Sequence, residues 1–180
     1  MKKLFTYYGR KKMTKDVAFK KGEKFIEFGN VYVVTKIEVR DYDGEKKRVI
    51  CYEHYFKSDL NGDNIICSIP EDSLDITNIR KPISKDDLKE IIKIFSSKSR
   101  QRKIRIETVK DILINNDPFE TAKAIKRLDW ESKRDSISIS KNMLFKKLKI
   151  TLSKEIALVM GKTPEKALKE IDRLLNGDKG

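Results

Sequence analysis

The side chains that most often catalyse reactions in proteins are scarce in this sequence. It has one histidine, His54, which lies in a predicted strand with Tyr52 and Phe56 on its face and no acid there to orient it as a general base. The two cysteines, Cys51 and Cys67, lack metal-site spacing, so we interpret them as small apolar residues on neighbouring strands. Glycine-rich phosphate loops and the HExxH and CxxC motifs are also absent. We therefore expect a protein that is not an enzyme and that needs no cofactor or metal.

Basic residues, in contrast, are concentrated in one short stretch. Five of them occur within eight residues, before any acid: Lys98, Arg100, Arg102, Lys103 and Arg105. The stretch lies near a predicted helix start, where unpaired N–H groups and the positive end of the helix dipole also favour a phosphate. Because cations at this end of a helix are mildly destabilising, their presence favours a binding role. The alternative is a solvated helix face, although such faces usually carry acids for i,i+4 pairs.

Two further basic stretches are less specific. Lys146 and Lys147 belong to a lysine run on a later predicted helix, and its lysines are spread around that helix in a way that also fits a solvated face. Residues 1–20 mix aromatic and basic side chains, and would form either a disordered arm along a phosphate backbone or an additional strand. We include Lys146 and Lys147, with the five residues above, among the candidate DNA contacts.

The composition is consistent with nucleic-acid binding. Of the 180 residues, 38% are charged and 38% are hydrophobic, and the net charge is +13. Residues 84–180 contain 24 basic and 15 acidic residues, whereas residues 22–83 contain nine and twelve. A basic half attracts nucleic acid through its field and through counterion release, although a lysine-rich surface can also serve solubility alone. The few cysteines and the lack of a long apolar run predict a cytoplasmic protein that is not bound to a membrane.

The elements that must position these residues change in kind at Pro82. Before it, runs of β-branched and aromatic residues are separated by tight turns at Gly29-Asn30 and Asp43-Gly44, and a further turn is predicted at residues 58–63. Four or five short strands, the last stopped by Pro70, predict a small SH3- or Tudor-like β-barrel.

After Pro82 the apolar period becomes 3.6 and predicts about five helices. Capping signals place the starts of four of them at Ser84, Asp117, Ser138 or Ser140, and Thr163. A weaker stripe within residues 100–114 predicts the remaining helix. The predicted fold class is α+β, divided into a basic arm (1–20), a β domain (21–83) and a helical domain (84–180).

Several short motifs of this sequence occur in the same order as in one protein family. A β module that opens with Gly22-Glu23, the strand exit Ile69-Pro70-Glu71-Asp72, the segment Asn78-Ile79-Arg80 and a final helix ending Ile171-Asp172-Arg173-Leu174-Leu175 resemble the CarD/CdnL family of bacterial transcription regulators. The likeness covers about residues 20–176. It implies a Tudor-like domain that docks on the β subunit of RNA polymerase. It also implies a helical domain that contacts promoter DNA at the upstream edge of the bubble and stabilises the open complex, without catalysis or cofactor.

The resemblance also implies where polymerase binds. Arg40 matches a basic residue of the family's polymerase contact, and Ser68 stands where the family has a second arginine. We assign their neighbours Tyr42, Arg48 and Pro70 to the same contact.

The DNA contact departs from the family pattern in one respect. The family's basic helix corresponds to residues 98–105, and many members begin it with a tryptophan that wedges into the minor groove. Here Lys98 or Arg102 takes that position. Trp130 does not match it, and its helical pattern predicts that it covers the core.

The main hypothesis is therefore a monomeric adaptor that bridges RNA polymerase and promoter DNA. One alternative is a polymerase-independent nucleic-acid-binding or nucleoid-associated protein, which tight DNA or RNA binding without polymerase would favour. A second alternative is a protein-binding scaffold whose lysines are only solvated, which the absence of salt-sensitive DNA association would favour.

Overall fold

Two antiparallel hairpins with tight turns begin the fold. In the computed structural model, which describes residues 19–56 and 65–177, strand β1 (Lys24–Glu27) leads through Phe28-Gly29 into β2 (Asn30–Tyr42). Asp43-Gly44 then connects β2 to β3 (Glu45–His54). Both residues of each turn have positive φ, as a two-residue type I′ hairpin turn requires. The second predicted turn is confirmed, and the first lies one residue earlier than predicted.

The four strands form an open sheet. Strand β4 (Cys67–Pro70) pairs with β3, and the order β1-β2-β3-β4 leaves β1 and β4 at opposite edges. The prediction of a small antiparallel sheet is confirmed, but the described residues do not close it into an SH3- or Tudor-like barrel. The turn predicted at residues 58–63 and most of the basic arm lie outside the described residues. A 3-10 helix, Glu71–Ile76, follows β4.

One face of the sheet carries its hydrophobic core, and the other carries polar groups beside buried residues such as Val49. The buried side chains of this core are Phe19, Phe25, Val34, Ile50, Tyr52 and Ile79. The pairings of β2 with β3 and of β3 with β4 place Arg40 and Glu38 on the opposite face, together with Cys51 and Ser68. This second face contains most of the predicted polymerase contact.

Five helices follow, and their caps explain where they begin. Their bounds are α1 Lys85–Ser96, α2 Ile106–Asn115, α3 Pro118–Arg134, α4 Ile139–Met160 and α5 Pro164–Leu175. Ser84, Asp117, Ser138 and Thr163 each accept a hydrogen bond from a backbone N–H of the first turn, so the four predicted starts are confirmed, the fourth helix starting after Ser138. No helix of the described chain has both the length and the apolar character that a membrane crossing requires.

The second helix begins later than its apolar stripe suggests. Its N-cap is Arg105, in extended conformation, and residues 98–105 precede the helix instead of forming its first turns. Ile104, which is 3% exposed, reaches the helical core from this non-helical segment. The expectation of a basic helix at residues 98–105 is therefore wrong, because this apolar residue anchors non-helical backbone.

The sheet and the helices are joined by specific contacts. Glu155 of α4 accepts hydrogen bonds from Arg80 Nη1 and Nη2 (both 2.6 Å) and from the Ile83 N–H (2.8 Å). Arg80 also pairs through its backbone with Ile26 beside β1. The Phe28-Gly29 turn rests on Thr151 of α4 so closely that a Cβ at Gly29 would lie 2.5 Å from Thr151 Cγ2. The segment of residues 80–83, which connects the sheet to the helices, is therefore hydrogen-bonded both to β1 and to α4.

Candidate nucleic-acid interface

Residues 98–105 form a non-helical segment whose backbone is held by α3 at residues 102–104. The guanidinium group of Arg127 donates to the carbonyls of Arg102 and Lys103, at 3.1 Å each. The Ile104 N–H points to the buried carboxylate of Glu131 at 3.4 Å. Because these hydrogen bonds hold the backbone, the Cα positions of the charged residues there are fixed while their side chains are exposed to solvent.

Most of the cations in this segment lack an acidic partner. Lys103 pairs with Asp135 at 3.0 Å. Within residues 19–56 and 65–177, no ion pair is formed by the other four, which are all exposed: Lys98, Arg100, Arg102 and Arg105. The predicted phosphate-binding residues therefore stay together along one segment, and four of the five have a charge that is not neutralised there.

The first half of this segment lines a groove, which we call the α3–α5 groove. It has a volume of about 1010 Å³ and lies between residues 95–101, the C-terminal half of α3 and the end of α5. Six basic residues line it: Lys98, Arg100, Lys126, Lys133, Arg134 and Arg173. Asp129 is its one acidic lining residue among those described, and it pairs with Lys133 at 2.9 Å. The groove is thus strongly basic.

Trp130 lies in the wall of the groove. It is half-buried, and the Arg134 guanidinium lies 5.5 Å from its ring centroid. Trp130 is not among the side chains packed in or against the helical core, so the prediction that it covers the core is wrong. The signal was present in the sequence, because Lys126, Trp130 and Arg134 are spaced four residues apart and share one helix face.

Two of the lining lysines stabilise helix ends. Lys126 Nζ donates to the carbonyls of Ile94 (2.6 Å) and Ser97 at the end of α1, and burial lowers its pKa from the ordinary value. Lys133 Nζ donates to the Leu175 carbonyl at the end of α5 (3.2 Å). Both cations meet carbonyls that have no partner within their own helix.

Lys146 and Lys147 lie elsewhere. Both are exposed on α4, and neither lines the α3–α5 groove. Their assignment to DNA stays a prediction.

The predicted polymerase contact centres on Arg40. Its guanidinium group donates to Glu38 (2.6 Å), to Ser68 Oγ (3.2 Å) and to Cys51 Sγ (3.5 Å). Hydrogen bonds from Lys36 and Arg40 lower the pKa of Glu38 to about 2. The structure therefore brings Arg40 and Ser68 together in an ordered polar array.

The other three residues of that contact are placed differently. Strand alternation and pairing put Tyr42 and Pro70 on the face of Arg40, and Tyr42 is 39% exposed. Arg48 is on the opposite face, where it donates to the Phe19 carbonyl (3.3 Å) and pairs with Glu71 (3.4 Å). The structure thus separates Arg48 from the Arg40 array.

The residues considered for catalysis lie on β3 and β4. His54 ends β3 and packs against Tyr32 at a tilt, with ring centroids 4.5 Å apart. Cys51 and Cys67 lie on neighbouring strands as predicted, but their partners in register, Ser68 and Tyr52, place them on opposite faces of the sheet. The described part of the chain contains no group of three potential metal ligands.

Comparison with known protein families found no family model that matches this chain, and comparison with curated proteins found no match either. Function is therefore inferred from the two surfaces described above.

Proposed function

We propose that this protein is a non-catalytic transcription regulator that bridges bacterial RNA polymerase and promoter DNA and stabilises the open complex. In this proposal the sheet binds the β subunit of polymerase and the helical part binds the DNA backbone. The observation that carries it is the non-helical segment of residues 98–105, in which four exposed cations have no acidic partner in the described chain.

The segment suits phosphate groups better than base edges. Its backbone is fixed by Arg127 while its side chains remain exposed, so several cations can meet neighbouring phosphates together. Phosphate contacts of this kind position a protein on DNA but carry no sequence information. We therefore expect DNA binding that depends weakly on sequence and strongly on salt.

A second partner is suggested by the strand edge of the β2–β3 hairpin. In the described chain, β1 pairs with β2 only up to Val33, so residues 36–42 have no strand on the side away from β3. Val39, in this stretch, is 65% exposed. A free strand edge next to the ordered Arg40 array can accept a strand and a charged group from another protein.

Duplex binding tests the DNA half of the proposal. With four to six phosphate contacts, log K should fall with log salt concentration at a slope of about −4 to −5. The double variant Arg102→Glu with Arg105→Glu should weaken binding by about tenfold or more and reduce the slope by about 2. The control is Lys166→Glu with Lys169→Glu, which makes the same charge change on exposed residues of α5. An equal loss of duplex affinity in both double variants would mean that only the net charge matters, and it would contradict a specific site at residues 98–105.

Binding to the isolated polymerase β subunit tests the other half. Arg40→Glu breaks the array with Glu38 and Ser68, and we expect it to abolish capture of the β subunit in a pull-down. Lys46→Glu is the matched control, because Lys46 is exposed at the same end of the hairpin on the opposite face. If Arg40→Glu binds like the wild type, the sheet face is not the polymerase contact. Sub-micromolar duplex binding at physiological salt without polymerase would favour the alternative, a polymerase-independent nucleic-acid-binding protein.

A further inference from the structure

The α3–α5 groove combines an aromatic ring with cations that are not used elsewhere. Lys126 and Lys133 are occupied at helix ends, as described above. Lys98, Arg100 and Arg134, in contrast, form no ion pair within the part of the chain that the structure describes. Arg134 stays close to the face of Trp130. The groove therefore offers an aromatic surface and free positive charge within one recess.

This combination matches the chemistry of a nucleotide. A base stacks on an aromatic or guanidinium plane, while its phosphates are held by neighbouring Lys and Arg side chains. Apolar residues continue the surface, since Phe95, Leu174 and Leu175 also line the groove. A volume of about 1010 Å³ is enough for one or two nucleotides.

The position of Trp130 selects an unpaired strand over a duplex. In a duplex the faces of the bases are covered by stacking, and only base edges and phosphates are accessible. Trp130 is half-buried in the wall of a recess, so only a base that has left the stack can reach its ring. The exposed Arg102 and Arg105, outside the groove lining, remain available to a duplex.

We propose that the α3–α5 groove binds single-stranded DNA, with one unpaired base against Trp130 and the adjacent phosphates at Lys98 and Arg100. This inference rests on the proposed DNA-binding function and specifies the form of strand that the groove takes. A regulator with both surfaces would hold duplex DNA along residues 102–105 and the neighbouring unpaired strand in the groove.

Intrinsic fluorescence gives a local test, because Trp130 is the only tryptophan of the chain. We expect a short oligothymidylate to quench the emission of Trp130 saturably, and a duplex of the same length to quench it much less. The double variant Lys98→Glu with Arg100→Glu should lower the affinity for the oligothymidylate by about tenfold or more. The control, Lys166→Glu with Lys169→Glu, should have little effect on this affinity.

Anisotropy with a labelled oligothymidylate tests the stacking contact itself. Trp130→Ala should lose about 5- to 100-fold in affinity for the single strand and nothing for the duplex, while Trp130→Phe should keep most of both. A circular-dichroism melt of each variant controls for folding, and the Phe variant keeps the test valid if the Ala variant is unstable.

The outcomes separate the two proposals. If the duplex binds and responds to Arg102→Glu with Arg105→Glu but the oligothymidylate leaves the emission unchanged, the groove proposal is wrong and the DNA-binding function stands. If neither nucleic acid binds, alone or with polymerase, both are wrong. If thymidine monophosphate binds as tightly as the oligothymidylate, the groove takes a free nucleotide instead, which also overturns this inference.

Discussion

His54 shows how a contact between the sheet and a helix changes the pKa of a single side chain. The imidazole packs against Tyr32 and lies in the field of Lys154, whose ammonium group donates to Asn30 Oδ1 at 2.7 Å. Burial, first, and the positive charge of Lys154, second, lower the pKa of His54 below 6.5. Both causes act against the imidazolium ion, because one removes water and the other adds a like charge.

The single histidine allows this pKa to be measured by NMR. We expect His54 to titrate below 6.5, and Lys154→Met to raise that pKa because it removes the like charge. Since the unfolded chain has the higher pKa, it takes up the proton first as the pH falls from about 7. The free energy of unfolding therefore decreases as the pH falls through 6.5 toward the folded pKa. Lys149→Met, on the same helix, should leave the titration unchanged, and an equal shift in both variants would contradict the assignment.

Single residues also show what sequence reasoning could and could not reach. The cluster of cations at residues 98–105 was recognisable in the sequence, because its charges lie together in the chain. Trp130 was misinterpreted because its ring fits a core face by period, whereas residues 95–101, which line the groove with it, are distant in sequence. Arg48 was grouped with Arg40, although the predicted turn at Asp43-Gly44 pairs Arg48 with Val39 and so places the two arginines on opposite sheet faces.

Among the elements, α2 has an unusual start. Arg105 occupies the N-cap and makes no cap hydrogen bond, whereas the caps of the other four helices accept at least one. Ser, Thr, Asp and Asn are preferred there, and a cation is unfavourable near the positive end of the helix dipole. The residue is thus better suited to binding an anion than to stabilising its helix.

Replacing Arg105 should expose this conflict between stability and binding. We expect Arg105→Ser to raise the free energy of unfolding by about 1 kcal/mol, because the serine hydroxyl can accept from the first turn of α2. The same variant should weaken duplex binding through loss of one phosphate contact and reduce the salt slope by about 1. Urea denaturation and a salt titration measure the two effects. A variant that gains stability and keeps full affinity would show that Arg105 does not contact DNA.

The turn between β1 and β2 is fixed by its contact with α4. Gly29 has φ +75°, and its missing Cβ leaves room for Thr151, whereas Gly22 has φ +87° and nothing within 4 Å of a Cβ. Gly29 is therefore required both for the positive φ and for the close approach of Thr151, whereas Gly22 is required for the positive φ alone.

The two glycines provide a matched pair of variants. Gly22→Ala should cost about 1–2 kcal/mol from the left-handed backbone alone. Gly29→Ala should cost a further 1–3 kcal/mol, roughly, because the new Cβ collides with Cβ and Cγ2 of Thr151. Urea denaturation of both variants measures the difference. Equal losses would mean that the turn is not held against α4.

Local sequence signals predicted most strands and helices. Contacts between distant residues determine the features that these signals did not predict, namely the start of α2 and the open sheet. Helix caps such as Asp117 act within three residues, so they fixed four helix starts. The start of α2 depends on Ile104 reaching a core built from other helices, and strand alternation does not say whether a sheet closes. Both require contacts between residues far apart in the chain.

At the scale of the molecule, the sheet and the helices share a buried ion pair. Glu155 is 3% exposed and accepts from Arg80, 75 residues away, and Arg80 also donates to the Asn116 carbonyl at 2.7 Å. The two halves are recognisable in the sequence, but this link is not, because Arg80 and Glu155 lie 75 positions apart and no spacing pattern connects them. The link makes us expect that the two halves unfold together.

Removing the carboxylate tests this coupling. We expect Glu155→Ala to lower the free energy of unfolding by about 3 kcal/mol, since it leaves Arg80 and the Ile83 N–H without their acceptor. In the wild type, Trp130 fluorescence from the helices and near-ultraviolet circular dichroism, to which the Tyr32–Tyr52 pair of the sheet contributes, should give one urea midpoint.

In Glu155→Ala the two midpoints should separate, with the sheet signal lost first, because its small core depends on the contact with α4. The control is Glu170→Ala, which removes a partly exposed pair with Arg173 and should cost about 0.5 kcal/mol or less without separating the probes. Coincident midpoints in Glu155→Ala would mean that the turn contact at Thr151 is sufficient to couple the halves. A stability loss as small as that of the control would contradict the role given to the buried pair.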